Sequence, residues 1–491
     1  MPIDPRSPVL VGAGVASQRE EDPARALEPC ALMAEALARA GDDAGDRSLL
    51  AEAALVAVPR GFWRYPDPGR LVAEAVGAKQ ARTLVAEIGV LQTTLFAVAA
   101  RAIREGADVV LVTGGEARYR AQRARAAGLQ EILSEQPASV VPDRVLRPAA
   151  EIVHPVEIAR RFVVPVAQYA AIENALRREA GASPDAHRRE LARFWAGFAE
   201  VARANPHAWS RKPPDEGALL DDAGRNPMLA FPYGRLHCSQ WNVDQAAGLV
   251  FCSAERARRA RIPESRQIHL RAVAESNHMR PLVARGSLAR SPGFVFAWRR
   301  ALALSGVEPE ALGVRELYSC FPSAVRVQLR EFGMPAEPTP SVTGGMAFAG
   351  GPLNNFVLQA AARVRERLRE RGGAALLTAV SGMLTKQGVS LWSCEPGEAG
   401  FGYADVSDEA ERAEAPRAVV DAADADGSIA GYTVVRDPGA PARTVAVVDL
   451  EGGARTLVDS ADPELAREAT RRDLAGAAVR VRADGSFALR S

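Results

Sequence analysis

The stretch "LQTTLFAVAARAIREGADVVLVTGG", residues 91–115, joins a helix to a buried strand. Its alanine-rich helical pattern stops at Gly106, and the apolar run Val109–Thr113 then predicts a strand. The pattern returns in "LNNFVLQAAARVRERLRERGGAALLTAVSG", residues 353–382, with a stop at Gly372 and a strand over Ala374–Val380. This repeat predicts two similar α/β halves, each with a helix thin enough to pack closely against its counterpart.

Short polar residues stand at the start of both repeated helices. Gln92, Thr93 and Thr94 begin the first helix, and Asn354 and Asn355 begin the second. Side chains of this kind can cap the N–H groups of a first helical turn. We therefore expect these residues to cap the two helices.

Further strands are predicted on both sides of the first repeat unit. They are Val9–Val11, Ala53–Val58, Leu249–Cys252 and Ile268–Ala274. Strands that alternate with helices indicate a layered α/β architecture.

Changes in composition divide the chain into domains. The N-terminal half is assigned to residues 1–270 and includes a proline-rich inserted loop domain at 116–230, in which Ser183 and Pro184 predict a helix start. The C-terminal half is assigned to 271–395. After an acidic linker, residues 415–491 alternate strands with Gly-Gly and Asp-Gly turns, which predicts a small β-barrel-like domain related to oligonucleotide-binding folds.

Charge and cysteine content narrow the class of protein. With 61 basic and 60 acidic residues the net charge is +1, so neither nucleic acid nor an anionic membrane is an expected partner. The five cysteines lack CxxC spacing, which favours reduced thiols and no metal site. The chain shows no leader and no apolar run long enough to cross a bilayer, so we expect a cytoplasmic protein.

Three motifs in order carry a family resemblance. They are "WNVDQAAGLVFCS" at 241–253, "ELYSCF" at 316–321 and "GGMAFAGGPLNN" at 344–355. Together they resemble the thiolase superfamily, and most closely its thiolase-like proteins of type 1, which carry an additional C-terminal domain. The resemblance implies a five-layered αβαβα fold of two pseudo-equivalent halves, a role in lipid metabolism like that of acetyl-CoA acetyltransferases, and CoA or acyl-CoA as ligand, with no tightly bound cofactor.

The resemblance also identifies where thiolase catalytic groups would stand. A working thiolase has a nucleophilic Cys at the start of a buried helix, an activating His and a second Cys. At these positions the chain has Leu91, Gly351 and Ala379, and Tyr318 replaces the His of the "ELYSCF" motif. Because leucine cannot hold an acyl group, we expect thiolysis through an acyl-enzyme to be absent.

Tyr318 and Cys320 are the remaining candidates for catalysis in this region. Each also has a structural interpretation, Tyr318 as a packed or hydrogen-bonded core residue and Cys320 as a small apolar one.

Substrate binding is assigned to polar residues and to the glycine loop, whose N–H groups could bind a thioester oxygen. Lys386 could bind a phosphate or a carbonyl, or could lie solvated at the surface. The full set of predicted substrate-binding residues is Gln92, Thr93, Gly350, Gly351, Asn354, Asn355, Ser381 and Lys386.

Three functions remain open from the sequence. The first is acyl-CoA binding without thiolysis. The second is noncovalent carbon–carbon cleavage of a 3-hydroxyacyl-CoA, a retro-aldol reaction in which Tyr318 is the acid or base. The third is a non-enzymatic protein that binds a partner through its core or C-terminal domain. A homodimer is also possible.

Overall fold

The computed structural model describes residues 3–150, 152–421, 423–437 and 439–490. Its first segment alternates strands with helices up to the end of the first repeat unit. These elements are β1 (Pro8–Gln18), α1 (Pro29–Ala44), α2 (Ser48–Ala51), β2 (Leu55–Pro59), α3 (Pro68–Ala75), β3 (Arg82–Ala86), α4 (Gln92–Arg104) and β4 (Val109–Ala117).

The segment after β4 is mainly helical. Its elements are α5 (Arg118–Ala126), β5 (Arg144–Leu146), α6 (Pro155–Ala159), α7 (Pro165–Glu179), α8 (Pro184–Arg203), α9 (Glu216–Leu220), β6 (Met228–Ala230) and β7 (Tyr233–Gly234). Ser183 caps α8 as the sequence predicts, because its Oγ accepts the N–H of Ala186 at 3.3 Å.

The chain then returns to the core with a long strand and the second repeat unit. These elements are β8 (Asp244–Ser253), α10 (Ala254–Arg259), β9 (Ile268–Ser276), α11 (Pro292–Ser305), β10 (Val314–Glu316), α12 (Pro322–Phe332), α13 (Phe356–Arg371), β11 (Ala374–Ser381), β12 (Lys386–Ser393), β13 (Gly402–Asp405) and α14 (Ser407–Ala413).

The strand order repeats across the main sheet. The first half contains the order β2-β4-β8-β1, and the second contains β10-β11-β12-β9. In each half the first two strands are parallel and the next two pairings are antiparallel. The halves join where β1 pairs with β9, so the predicted duplication is present in both order and direction.

Helices form layers on and between the two halves. Helix α1 packs on β1, β8 and β4, and α11 packs on β9 and β12. Helices α4 and α13 contact each other, and each contacts strands of both halves. This arrangement of outer helices, strands, inner helices, strands and outer helices is the predicted five-layered α/β fold.

The C-terminal segment forms a second, antiparallel sheet. Its elements are β14 (Ala425–Val435), β15 (Arg443–Leu450), β16 (Arg455–Ser460), α15 (Pro463–Arg471), β17 (Ala478–Val481) and β18 (Phe487–Leu489). Strand β6 of the inserted segment pairs with β14, which ties the insertion to this sheet. In the described ranges, no helix combines the length and the apolar character that a membrane crossing requires.

Candidate functional site

Leu91 immediately precedes α4 and is its N-cap residue. Its backbone is extended, with φ −65° and ψ 141°, and its side chain is fully buried and makes no capping hydrogen bond. The first N–H groups of a helix carry partial positive charge and would stabilise a thiolate there. Because an aliphatic side chain occupies this place, no group at position 91 can attack a carbonyl carbon.

Three neighbouring strands present a row of residues to this helix end. Ala379 of β11 pairs with Gly388 of β12, and Gly388 pairs with Glu275 of β9. Residues directly opposite each other on adjacent strands project to the same face of a sheet. A Cβ built on Gly388 would overlap the hydroxyl of Thr93, so the first turn of α4 lies on this row. The structure thereby brings Thr93 and Ala379 into one site.

Glu275 is the acidic member of this row, and it is fully buried. Its Oε1 accepts the hydroxyls of Thr93 at 2.5 Å and Thr94 at 3.0 Å, and its Oε2 accepts the hydroxyl of Tyr403 at 3.3 Å. Burial raises the pKa of Glu275 to about 7, and the hydrogen bonds from Thr93 and Thr94 oppose that rise. A carboxyl group that titrates near neutral pH can both accept and donate a proton.

Glu275 was not among the predicted site residues, although the sequence contains one signal for it. The residue directly follows the predicted strand Ile268–Ala274, at a strand end where functional side chains often lie. What the sequence could not show is the pairing of β9 with β12, which places the carboxyl beside α4.

Amide side chains occupy the space at the start of the two repeated helices. Gln92 Nε2 donates to Asn354 Oδ1 at 3.2 Å, and Asn354 Nδ2 donates to the carbonyl of Arg60 at 2.6 Å. Asn355 is the N-cap residue of α13, yet its side chain makes no capping hydrogen bond. The capping prediction is therefore wrong for Asn354 and Asn355.

The same prediction is wrong for the first repeated helix, because the N-cap of α4 is Leu91 and the Thr93 and Thr94 hydroxyls bind Glu275.

Some of these amide atoms have no hydrogen-bond partner. Gln92 Oε1, Asn355 Oδ1 and Asn355 Nδ2 are buried and unpartnered within the part of the chain that the structure describes. An unpaired buried polar group costs about 1–3 kcal/mol. A ligand or water molecule that reached these atoms could pair with them.

The glycine loop, residues 344–351, has a backbone conformation that favours glycine at several positions. Gly350 has φ +103°, and a Cβ there would also overlap Gln245 Oε1. The N–H of Gly351 donates to the carbonyl of Gln240 at 2.8 Å. This amide is already paired, and position 351 carries no side chain that could act as a base.

Tyr318 lies close to the row that contains Ala379. Its N–H donates to Thr378 Oγ1 at 2.8 Å, and Thr378 directly precedes Ala379 in β11. Its ring meets Phe356, the first residue of α13, edge to face at 6.2 Å. Burial, together with the nearby thiol of Cys320, raises the pKa of Tyr318 above its ordinary value. The phenol therefore stays protonated at neutral pH and would serve as an acid.

Cys320 is buried two residues after Tyr318. Burial raises the pKa of its thiol to about 12, although a hydrogen bond with Tyr169 opposes the rise. The Tyr169 hydroxyl also donates to the carbonyl of Gly382 at 3.2 Å, and the Tyr169 ring stacks on Phe321 at 4.7 Å. A thiol held protonated in this way is a poor nucleophile.

Ser381, the last residue of β11, and Lys386, the first residue of β12, are register partners. The Lys386 ammonium donates to the carbonyl of Gly89 at 2.6 Å, and its side chain is buried. Burial lowers its pKa. The alternative of a solvated surface lysine is therefore wrong, because this residue ties the β11–β12 hairpin to the turn before α4.

No group of three or more histidine, cysteine, aspartate or glutamate side chains in the described ranges is arranged to hold a metal ion.

Comparison with known proteins places these features in context. No family model and no curated protein sequence matches the chain. Among solved structures, a monomeric SCP2-thiolase-like protein type 1 from Mycobacterium smegmatis is similar over 100% of both chains, with 27% identity and a TM-score of 0.85.

Two more distant structures share the fold. The Ltp2-ChsH2(DUF35) aldolase covers 80% of this chain and 99% of its own, with 19% identity and a TM-score of 0.55. Human mitochondrial 3-ketoacyl-CoA thiolase in complex with CoA covers 79% of this chain and 98% of its own, with 16% identity and a TM-score of 0.58.

Proposed function

Because the chain belongs to the thiolase superfamily, we propose that it binds an acyl-CoA thioester noncovalently and does not carry out ping-pong thiolysis. The observation that carries this proposal is the buried Leu91 at the N-terminus of α4. Gly351 and Ala379, at the other two thiolase positions, offer no base and no second thiol. Without a nucleophile, the site has no atom that could form a covalent bond with an acyl group.

The unpartnered amides provide the means of binding. Asn355 Nδ2 can donate to the thioester oxygen, and Gln92 Oε1 can accept an N–H from an acyl or pantetheine amide. The relative solved with CoA supports this ligand class. Asn355 Nδ2 takes the role that we had expected of the glycine-loop N–H groups, because the Gly351 N–H is already bound to Gln240.

Two measurements on the purified protein test this proposal together. Calorimetric titration with acetyl-CoA should show binding, and intact-protein mass spectrometry after the same incubation should show no covalent acyl group. The variant Gln92→Ala should bind more weakly, whereas Gln122→Ala, an exposed residue of the same type on α5, should bind as the wild type does. A covalent acyl adduct, or CoA-dependent cleavage of a 3-ketoacyl-CoA, would overturn the proposal.

A second candidate is the noncovalent cleavage of a 3-hydroxyacyl-CoA. It is favoured by the position of Tyr318 beside Thr378 and Ala379 and by the fold shared with an aldolase. In this reaction the carboxylate of Glu275 would remove the proton of the 3-hydroxyl, the bond between C2 and C3 breaks, and its electrons pass to the thioester as an enolate. Tyr318, held protonated by burial, would then donate the proton that C2 requires.

Replacement of the phenol tests this candidate. Tyr318→Phe should abolish release of the aldehyde or ketone product from a 3-hydroxyacyl-CoA while acyl-CoA binding remains. Tyr119→Phe, which removes a partly exposed hydroxyl bound to Glu21, is the matched control and should leave cleavage unchanged. Equal cleavage by Tyr318→Phe and wild type would exclude this role for Tyr318.

The setting that we propose for either activity is lipid metabolism in the cytoplasm, with an acyl-CoA as the small-molecule partner. The balanced charge of +1 offers no electrostatic basis for binding nucleic acid or an anionic membrane.

A further inference from the structure

A small pocket lies on the opposite face of the main sheet from the candidate site. Ser276 and Gln387 line it. Ser276 directly follows Glu275 in β9, and Gln387 directly precedes Gly388 in β12. Successive residues of a strand project to opposite faces. Since Glu275 and Gly388 face α4, this pocket is separate from the site described above.

The pocket is built by four elements of the second half. It lies between the end of β9, the start of α11, the β11–β12 hairpin and the end of α14. Its cavity of about 20 Å³ has room for one small ion or a water-sized group. Size alone therefore excludes a nucleotide or an acyl chain.

Arg285 is the central feature of this pocket, and its side chain is 3% exposed. Nη2 donates to the carbonyl of Met383, and Nε donates to the carbonyl of Arg280 at 3.5 Å. Nη1 is buried and has no hydrogen-bond partner in the described ranges. No carboxylate of those ranges lies within 4.0 Å of the guanidinium, so its charge is not balanced by an ion pair.

Other unpartnered polar atoms line the same pocket. Ser276 Oγ is fully buried, and His278 Nε2 belongs to a half-buried side chain; within the described residues both lack a partner. Either can donate a hydrogen bond, His278 through the Nε2–H tautomer of the neutral ring. Burial and the nearby Arg280 lower the pKa of His278, which keeps that ring neutral at pH 7.

The start of α11 adds positive potential. This helix begins at Pro292 and runs to Ser305, and Ser291, Pro292 and Gly293 all line the pocket. Pro292 has no N–H group, and the N–H of Ser291 donates to Glu331 Oε1 at 2.8 Å, so the helix contributes chiefly the positive end of its dipole. The dipole therefore acts in the same direction as the Arg285 guanidinium.

The acidic residue at the pocket is already engaged. Glu414 Oε1 accepts the N–H groups of Gly286 at 3.0 Å and Ser287 at 3.3 Å, and its Oε2 lies 3.4 Å from Arg280 Nη1. Arg290, which also lines the pocket, is paired with Glu331 at 2.8 Å. Neither carboxylate forms an ion pair with Arg285 within 4.0 Å, although Glu414 and the buried Glu157 attract its charge at longer range. A buried charge without a direct partner is costly.

We propose that this pocket binds a small inorganic anion of about chloride size, held by Arg285 Nη1 and Ser276 Oγ and favoured by the dipole of α11. The anion balances the buried guanidinium and gives its unpartnered N–H an acceptor. It also stabilises the contact of α14 with the core, at the point where the chain leaves for the C-terminal sheet. The site is independent of acyl-CoA binding, because it lies on the other face of the sheet.

Thermal unfolding of the full chain at constant ionic strength tests the proposal. Sodium chloride should raise the unfolding midpoint by about 1 °C or more over sodium gluconate, whose anion is too large for the cavity, and the rise should saturate with chloride concentration. Arg285→Gln should lose this difference. Arg300→Gln, which alters an exposed arginine of α11 that is paired with Glu409, should retain it. Equal midpoints for the wild type in the two salts would overturn the proposal.

Crystals soaked in bromide provide a second test that does not depend on folding of the Arg285 variant. An anomalous peak within hydrogen-bond distance of Arg285 Nη1 is expected. Density for a water molecule alone at that position, with no anomalous signal, would refute the anion site.

Discussion

Replacing Glu275 with glutamine should change the stability of the protein in a pH-dependent way. Its carboxyl is fully buried, and its pKa is raised from 4.5 to about 7, chiefly by burial. The folded protein therefore binds this proton more tightly than the unfolded chain does. Between pH 4.5 and pH 7 the stability that the wild type gains from protonated Glu275 is lost as pH rises, and above pH 7 the loss is complete.

The size of the effect follows from the two pKa values. Each unit of pKa is worth about 1.4 kcal/mol, so the full displacement corresponds to about 3 kcal/mol. Between pH 5 and pH 8, about 2 to 3 kcal/mol of this should be lost from the wild type. Glutamine has no ionised form, and its carbonyl oxygen can still accept the hydroxyls of Thr93 and Thr94.

The assay is thermal unfolding of wild type and Glu275→Gln at pH 5 and pH 8. The unfolding midpoint of the variant minus that of the wild type should be about 2 to 3 °C higher at pH 8 than at pH 5, for unfolding in one transition. Glu409→Gln, which alters a surface carboxyl paired with Arg300, is the control and should show no such gain. The reasoning is refuted if the difference between Glu275→Gln and wild type is the same at pH 5 and pH 8.

Three further results are expected. Gly350→Ala should destabilise the fold by about 2 to 5 kcal/mol in chemical denaturation, because φ at Gly350 is +103° and a Cβ there would overlap Gln245. The control Gly351→Ala should cost less than about 1.5 kcal/mol. Similar losses of stability for the two variants would contradict this explanation. Leu91→Cys should gain no thiolysis in a CoA-release assay, because Gly351 supplies no base; substantial activity would count against that explanation. Light scattering should give a monomer of 52.2 kDa, since β5 covers β3, which would otherwise be the edge strand at this end of the main sheet. Val145→Pro should favour self-association by breaking the pairing of β5 with β3, and a stable wild-type dimer would disagree with this account.

Much of the fold could be predicted because its strongest signals are local. The stops at Gly106 and Gly372 and the apolar runs after them identified β4 and β11. The predicted strands were too short, since β1 continues to Gln18 and β8 begins at Asp244. Polar residues at strand ends still pair with their neighbours, and hydrophobicity cannot reveal such pairs.

Strand β12 was missed for a related reason. Its sequence "KQGVSLWS" mixes polar and apolar residues, yet every residue of it is buried, because helices or other strands cover both faces. Period-two patterning signals a strand with one solvated face and fails in this case.

The candidate site was only partly predictable. The family resemblance implied Leu91, Gly351 and Ala379 as the replaced catalytic positions, which stays a prediction, and the structure brings the first turn of α4 beside Ala379. The burial of Lys386 and the contacts of Glu275 depend on register between strands that are distant in sequence. Such long-range pairing leaves no local pattern, so these two residues could only be placed from the structure.

Noncovalent thioester binding is tested most directly by calorimetric titration of the intact protein. The ligands are CoA, acetyl-CoA, a long-chain acyl-CoA and a steroid-side-chain acyl-CoA. We expect at least one thioester to bind more tightly than CoA itself, because the unpartnered Gln92 and Asn355 atoms would pair with the acyl part. If none of the four ligands binds, the proposal of an acyl-CoA site is contradicted.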